Sequence, residues 1–389
     1  MLKKSKQKKV RKVLILISNI YPFHLAGQYK TGTTLARNLS EREIKVLVIT
    51  NSPEHTSSFI EDKQSNLKYF IVPGDATLLT YFRHLSTIIR VAKTFDPDII
   101  HGHGMSMTLL AAPLGRILRK PVIQTLCEVG QTFSLTSGSI SVRTPMFIKY
   151  GLFFVDHVIC SSNFVKKLLE EARISANKIT VVPYGVEETW FSVNKSIILT
   201  LNSKTATILF WGDASFDRGI DTLLGAIPKV VERFPDAKFI LSIRNYGHTY
   251  RKKINQFTKA YPIKLLKSMH YQRISEIVSS ANIIVLPYNA TTIYPPLTLV
   301  ESLLVGGAVI TTDVEANREL IGENMRGMLV EPNNPEKLAK AIIDLLSDEE
   351  KRKNMAARAH SFIFDTYNWD NVVRRVLDIY QRTGAGKLN

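Results

Sequence analysis

Cysteine is nearly absent from this chain: Cys127 and Cys160 are the only two among 389 residues. Two such residues build no disulfide framework and match no zinc-ligand spacing, so a reducing cytoplasm is the expected setting. Long apolar runs are missing as well. None approaches the roughly 18 to 20 residues that a helix needs to cross a bilayer. Met1–Lys12 is basic and leads into a strand rather than into an apolar signal core, so no secretory signal is expected. No Walker-type phosphate loop occurs, and no Gly-x-Ser-x-Gly elbow supports a hydrolase triad. Gly102-His103-Gly104 fails as a dinucleotide fingerprint, because Met107 stands where the last glycine belongs. His101 and His103 have no third ligand nearby, so no metal site is expected. Internal repeats and low-complexity tracts are absent.

What is present is a soluble globular composition, 45% apolar and 22% charged. The length exceeds one ordinary core and fits two domains of roughly 150 to 200 residues. The net charge of +17 is concentrated in two places. Residues 1–12 carry seven basic side chains and residues 244–273 carry eight, neither with an acid, while the rest holds 36 basic and 34 acidic residues. Such patches attract phosphates, and with no recognised nucleic-acid module among them an anionic membrane surface is the expected partner rather than nucleic acid.

Apolar runs alternate with helical stretches along the whole chain. Strands are expected at Val13–Ser18, Lys45–Thr50, Tyr69–Val72, Ile99–Ile100, Val122–Leu126 and Val158–Cys160. The first helix should begin near Thr31, and Tyr81–Thr94 reads as one amphipathic helix with Phe82, Leu85, Ile88, Ile89 and Ala92 on a single stripe. Residues 128–145, rich in Gly, Ser and Thr, read as a long acceptor-side loop. Residues 190–204 are polar and read as a linker. The alternation then restarts at Thr207–Trp211, with strands near Phe239–Ile243, Lys264–Leu266, Ile283–Leu286 and Val309–Thr311. Strand–helix alternation of this kind predicts an α/β protein with doubly wound parallel sheets.

The densest signal is the apolar run Ala281–Leu286, ended by Pro287-Tyr288 and followed by Pro295-Pro296 and a helix carrying Glu301. A helix start offers unpaired N–H groups and a positive dipole end to an anion, with one carboxylate placed beside it for a polyol. Around it stand Val181-Val182-Pro183-Tyr184-Gly185-Val186, Ile208–Gly212, Arg218-Gly219-Ile220-Asp221, Ala308–Asp313 and Gly327–Pro332. Earlier come Tyr21-Pro22…Gly27, Asp98–His103 and Ser161–Phe164. In this order and spacing, over nearly the whole chain, the sequence resembles the nucleotide-sugar-dependent glycosyltransferases of the large retaining family 4, built on the GT-B fold.

That resemblance implies two Rossmann-like domains facing across a cleft. The N-terminal, acceptor-side domain would span residues 1–195 and the nucleotide-sugar-binding domain residues 205–367, with residues 368–389 forming a helix that crosses back. It also implies a role for each matching residue. Gly27 falls in the family's glycine-rich loop, Gly212 and Arg218 lie at the diphosphate, and Leu297 and Thr298 supply helix-start amides. Glu301 corresponds to the carboxylate that binds the ribose hydroxyls, and His103 is the candidate cleft residue. Departures are equally specific. Ile293 replaces the first glutamate of the paired motif, Asp213 replaces an arginine, Pro296 a glycine, and Cys127 the histidine beside the transferred sugar. Asn289, Tyr294 and Thr298 are alternative sugar contacts. The expected function is transfer of a sugar from a UDP- or GDP-sugar to a lipid-linked or glycan acceptor, with retention and without a metal or other cofactor. The expected location is the cytoplasm, peripheral to the inner membrane face. The alternative is a non-catalytic nucleotide-sugar or glycan binder that partners an active enzyme.

Overall fold

The computed structural model describes residues 9–18, 27–53, 58–61, 66–75, 77–127, 131–133, 140–142, 146–191, 206–246, 248–267, 271–291 and 294–385. The chain forms two compact units, Met1–Gly185 with Trp369–Asn389 and Val186–Asn368. The polar stretch 192–205 lies outside the described residues.

The first unit is built on β1 (Lys12–Ile17), β2 (Lys45–Ser52), β3 (Ser58–Glu61), β4 (Leu67–Pro73), β5 (Ile99–His103), β6 (Val122–Leu126), a small hairpin of β7 (Gln131–Phe133) and β8 (Ile140–Val142), then β9 (His157–Cys160) and β10 (Ile179–Val181). The large sheet runs β10-β9-β6-β5-β1-β2-β4-β3, parallel except for the edge pair β3–β4. Its central strands are buried on both faces, which is why they read as continuous apolar runs. Strand order reverses between β1 and β5, and the C-terminal ends of strands at such a reversal form the ligand crevice of open α/β sheets.

Two local expectations are corrected. The segment at 81–94 is two helices, Leu78–Arg83 and Leu85–Phe95, divided at His84, whose backbone leaves the helical region. Tyr81, in the first of the two helices, is buried and donates 2.7 Å to Asn51 Oδ1 near the end of β2. With Tyr81 turned inward, Phe82 on the next position is left 51% exposed and off the buried stripe. The expected irregular loop at 128–145 contains the β7–β8 hairpin, while residues 128–130, 134–139 and 143–145, Leu135 among them, lie outside the described residues. The antiparallel edge strand β3 carries no alternating pattern and has no counterpart among the expected strands.

The helix Trp369–Ala385 packs into the first unit's core, where Val372, Val373, Val376, Ile379 and Tyr380 meet Val13, Ile15, Leu35 and Leu39. His101 inside β5 bonds Tyr380 Oη and Thr125 Oγ1, each at 2.6 Å. Burial, aided by neighbouring His103, holds the His101 imidazole well below its usual pKa and therefore neutral. Both ring nitrogens are thus engaged in structure.

The second unit holds β11 (Thr207–Ala214), β12 (Lys238–Tyr246), β13 (Ile263–Lys267), β14 (Ile283–Leu286), β15 (Ala308–Thr312) and β16 (Met328–Val330) in one parallel sheet, ordered β13-β12-β11-β14-β15-β16. Here the order reverses between β11 and β14. Its core joins Ile208, Phe210, Phe239, Leu241, Ile283, Val285 and Ile310 with Leu223, Ile227, Leu338 and Ile342 from flanking helices. Among the described residues, no helix is long and apolar enough to cross a membrane.

Candidate functional site

The crevice of the second unit is set by how the turn after β11 is fastened to the loop after β14. Asn289 and Ala290 donate their amides to the Asp217 carbonyl at 2.9 and 3.3 Å, and Asn289 Nδ2 donates 2.7 Å to the Phe216 carbonyl. Gly219 sits at φ +67°, and an added Cβ would lie 1.6 Å from the Pro287 carbonyl oxygen. Only glycine permits that approach. The contact delivers Arg218, one residue earlier, onto Tyr288, its guanidinium 5.3 Å from the ring centroid. Arg218 Nη1 also donates 3.4 Å to Thr298 Oγ1, which pairs with the Tyr288 hydroxyl.

Thr298 is the second residue of the helix Leu297–Val305, where the Leu299 and Val300 amides donate to the Pro296 carbonyl at 3.0 and 3.2 Å and the Leu297 and Thr298 amides, ahead of them, have no acceptor within the helix. Glu301 follows three positions later, on the same helix face, and is 3% exposed. Burial pushes the Tyr288 phenol up, Arg218 opposes that rise, and the Glu301 charge adds to it. Behind this face the helix is anchored by Trp211 Nε1, which donates 2.8 Å to Ser302 Oγ, and Ser302 Oγ donates 2.7 Å to the Thr298 carbonyl. Thr311 Oγ1 donates 2.8 Å to the Leu286 carbonyl and so ties β15 to the end of β14.

Gly212, near the end of β11, has φ +130°, and no described atom lies within 4 Å of where a Cβ would stand. The next residue, Asp213, meets the Arg244 fork from β12 in two parallel bonds, Nε to Oδ1 at 3.0 Å and Nη2 to Oδ2 at 2.7 Å. Burial alone would raise the Asp213 carboxyl, but the Arg244 fork and the charges of Arg244 and Arg218 outweigh it and hold the group below its ordinary value. The anion at position 213 therefore does not stand bare at this edge. Arg244 and Lys253, which the sequence presents as free charges of the basic patch at 244–273, are paired with Asp213 and Asp221 from neighbouring elements.

The first unit assembles a second group of the expected residues. Gly27 opens the helix Gly27–Ser40 that follows β1, and His103 ends β5. His103 is buried, bonded to Thr31 Oγ1 at 3.1 Å, and packed so closely on Gly32 that a Cβ there would come within 2.7 Å of its ring. Cys127 is buried just past β6, two residues after Thr125, the register partner of His103. Ile293 lies outside the described residues, as do Tyr21 and Pro22. Among the described residues, no group of three acidic, histidine or cysteine side chains is arranged to hold a metal ion.

Tyr288, Arg244 and Glu315 belong to these surroundings without a site role being legible in the sequence. Tyr288 closes an apolar run that is plain in the sequence, which is its only signal. Arg244 is marked only as a member of the basic run 244–273 and Glu315 not at all, since their partners lie 31 and 24 positions away.

Two Rossmann-like units of this topology define the GT-B class of sugar-transferring enzymes. Residues 27–190 match glycosyltransferase family 4 and residues 194–362 match glycosyl transferases group 1, and the chain belongs to this glycosyltransferase family. It is similar to one of the subunits of the human phosphatidylinositol N-acetylglucosaminyltransferase, with 23% identity over 96% of this chain and 76% of that protein. The phosphatidyl-myo-inositol mannosyltransferase of Mycolicibacterium smegmatis is 26% identical over 75% of this chain and 73% of its own length. Among solved structures, Anabaena HepE in complex with UDP superposes with a TM-score of 0.74 at 16% identity, covering 95% of this chain and all of that one.

Proposed function

We propose that this glycosyltransferase moves a sugar from a UDP- or GDP-sugar to a lipid-linked acceptor with retention of configuration, the second unit holding the donor and the first the acceptor. The observation that carries the reading is the joining of Arg218, Tyr288, Thr298 and buried Glu301 at the reversal of strand order. A cation, a helix start and a carboxylate there match the diphosphate and ribose halves of one ligand. Arg218 and the helix amides would stabilise charge on the departing diphosphate without a metal. Gly27, Gly212, Leu297 and Thr298 would contribute backbone close to phosphate and sugar, and His103 with Cys127 would line the acceptor side. UDP in the HepE complex and phosphatidylinositol in the names of two relatives support the donor and acceptor classes. A lipid acceptor also fits a cytoplasmic protein working at an anionic membrane face.

Thermal-shift screening against nucleoside diphosphates and their sugars tests the donor, since a bound ligand stabilises by mass action. UDP or GDP should raise the melting temperature, and no response to any nucleotide would refute the assignment. Salt-sensitive co-sedimentation with anionic but not neutral liposomes tests the membrane face. Equal recovery on both would refute it.

A further inference from the structure

Arg244 has a chemical capacity that its ion pair does not exhaust. A guanidinium carries five N–H donors, and the two parallel bonds to Asp213 use Nε and one Nη2 hydrogen, leaving three. The pair sits at the C-terminal edge of β11 and β12, directly after Gly212, where the left-handed backbone is open to an approaching group. Arg218, already placed at the crevice, is near enough to Asp213 to act on its charge. A bare carboxylate there would repel a diphosphate. Clamped by Arg244 it does not, and it fixes the guanidinium plane in return, which spares part of the entropy an arginine loses when it closes on phosphate.

We propose that Arg244 is a second diphosphate-binding cation beside Arg218, with Asp213 as its positioning carboxylate. The proposal rests on the nucleotide-sugar reading of this crevice. It differs from simple charge neutralisation in one measurable way. If Asp213 and Arg244 only cancel each other, removing both leaves the site unchanged. If Arg244 touches the diphosphate, removing both still costs affinity.

Titration calorimetry on the full chain, with UDP and uridine as probes (GDP and guanosine if UDP does not bind), separates these cases. Arg244→Gln should weaken the diphosphate roughly ten- to a hundred-fold and leave the nucleoside unchanged, as loss of a charged hydrogen bond implies. The double variant Asp213→Asn/Arg244→Gln keeps the wild-type net charge and should still be weaker by about tenfold. Arg244→Lys, which keeps the charge but loses the fork, should fall between wild type and Arg244→Gln. Full recovery of affinity in the double variant, or equal loss for diphosphate and nucleoside, would overturn the proposal. Wild-type protein that binds neither UDP nor GDP would remove the donor reading itself. Normal wild-type binding with unaffected Arg244 variants would remove this inference alone.

Discussion

At the scale of single residues, two carboxylates make opposite demands. Glu301 is proposed to accept hydrogen bonds from ribose, so Glu301→Gln, which keeps its volume, should weaken nucleoside and diphosphate alike. A lost charge-assisted bond is worth about 1.5–3 kcal/mol, or about ten- to a hundred-fold in affinity. Loss confined to the diphosphate would contradict the ribose assignment. Glu315 lies in the turn after β15 and accepts 3.3 Å from Thr291 Oγ1. Burial lifts its carboxyl from 4.5 to about 7, against the pull of the Thr291 hydrogen bonds. A carboxyl that binds its proton more tightly when folded contributes stability below pH 4.5, and that contribution is lost as pH rises through about 7. Glu315→Gln should accordingly melt above wild type at about pH 8, the difference closing towards about pH 4. Parallel melting curves across that range would show that Glu315 is not the group responsible.

At the scale of elements, the turn after β11 and the loop after β14 act as one clamp, and Gly219 is the place where they touch. Gly219→Ala adds a Cβ into the Pro287 carbonyl and forces a left-handed backbone on an alanine, so it should cost at least about 2 kcal/mol. Denaturant unfolding measures that cost, and nucleotide titration should show affinity falling too as Arg218 shifts with the turn. A variant as stable as wild type would mean that the turn relaxes without the clamp. The strands of this region are legible in the sequence because parallel strands buried on both faces are continuous apolar runs. The division at His84 is not, because both halves keep helical periodicity and neither proline nor glycine marks the break.

At the scale of the whole molecule, the helix Trp369–Ala385 completes a core begun by β1 almost the full chain length earlier. Ile379 is 3% exposed there, and Ile379→Ala should cost about 2–5 kcal/mol. Hydrogen exchange should register the loss across β1, β2 and β5 and leave β11 to β15 protected as before. Loss of protection in β11 to β15 instead would place the helix's stabilising role in the other unit. Charge behaves collectively too. The basic run at 244–273 holds no acid of its own, yet Asp213 and Asp221 fold onto it and reduce what it offers to a membrane.

The sequence by itself determined the α/β class, the positions of the buried parallel strands it marks as apolar runs, though not β3 or the β7–β8 hairpin, the family, and which helix carries Glu301. These rest on local periodicity and on motifs read along the chain. Tertiary structure decided which side chains meet. Arg218 reaches Tyr288 and Thr298 because strand order reverses between β11 and β14, and Asp213 meets Arg244 where the parallel register of β11 and β12 shifts between Gly212 and Ala214. Both depend on contacts between residues tens of positions apart, set by sheet register and by the close approach that only Gly219 allows. A linear pattern holds no record of such distances.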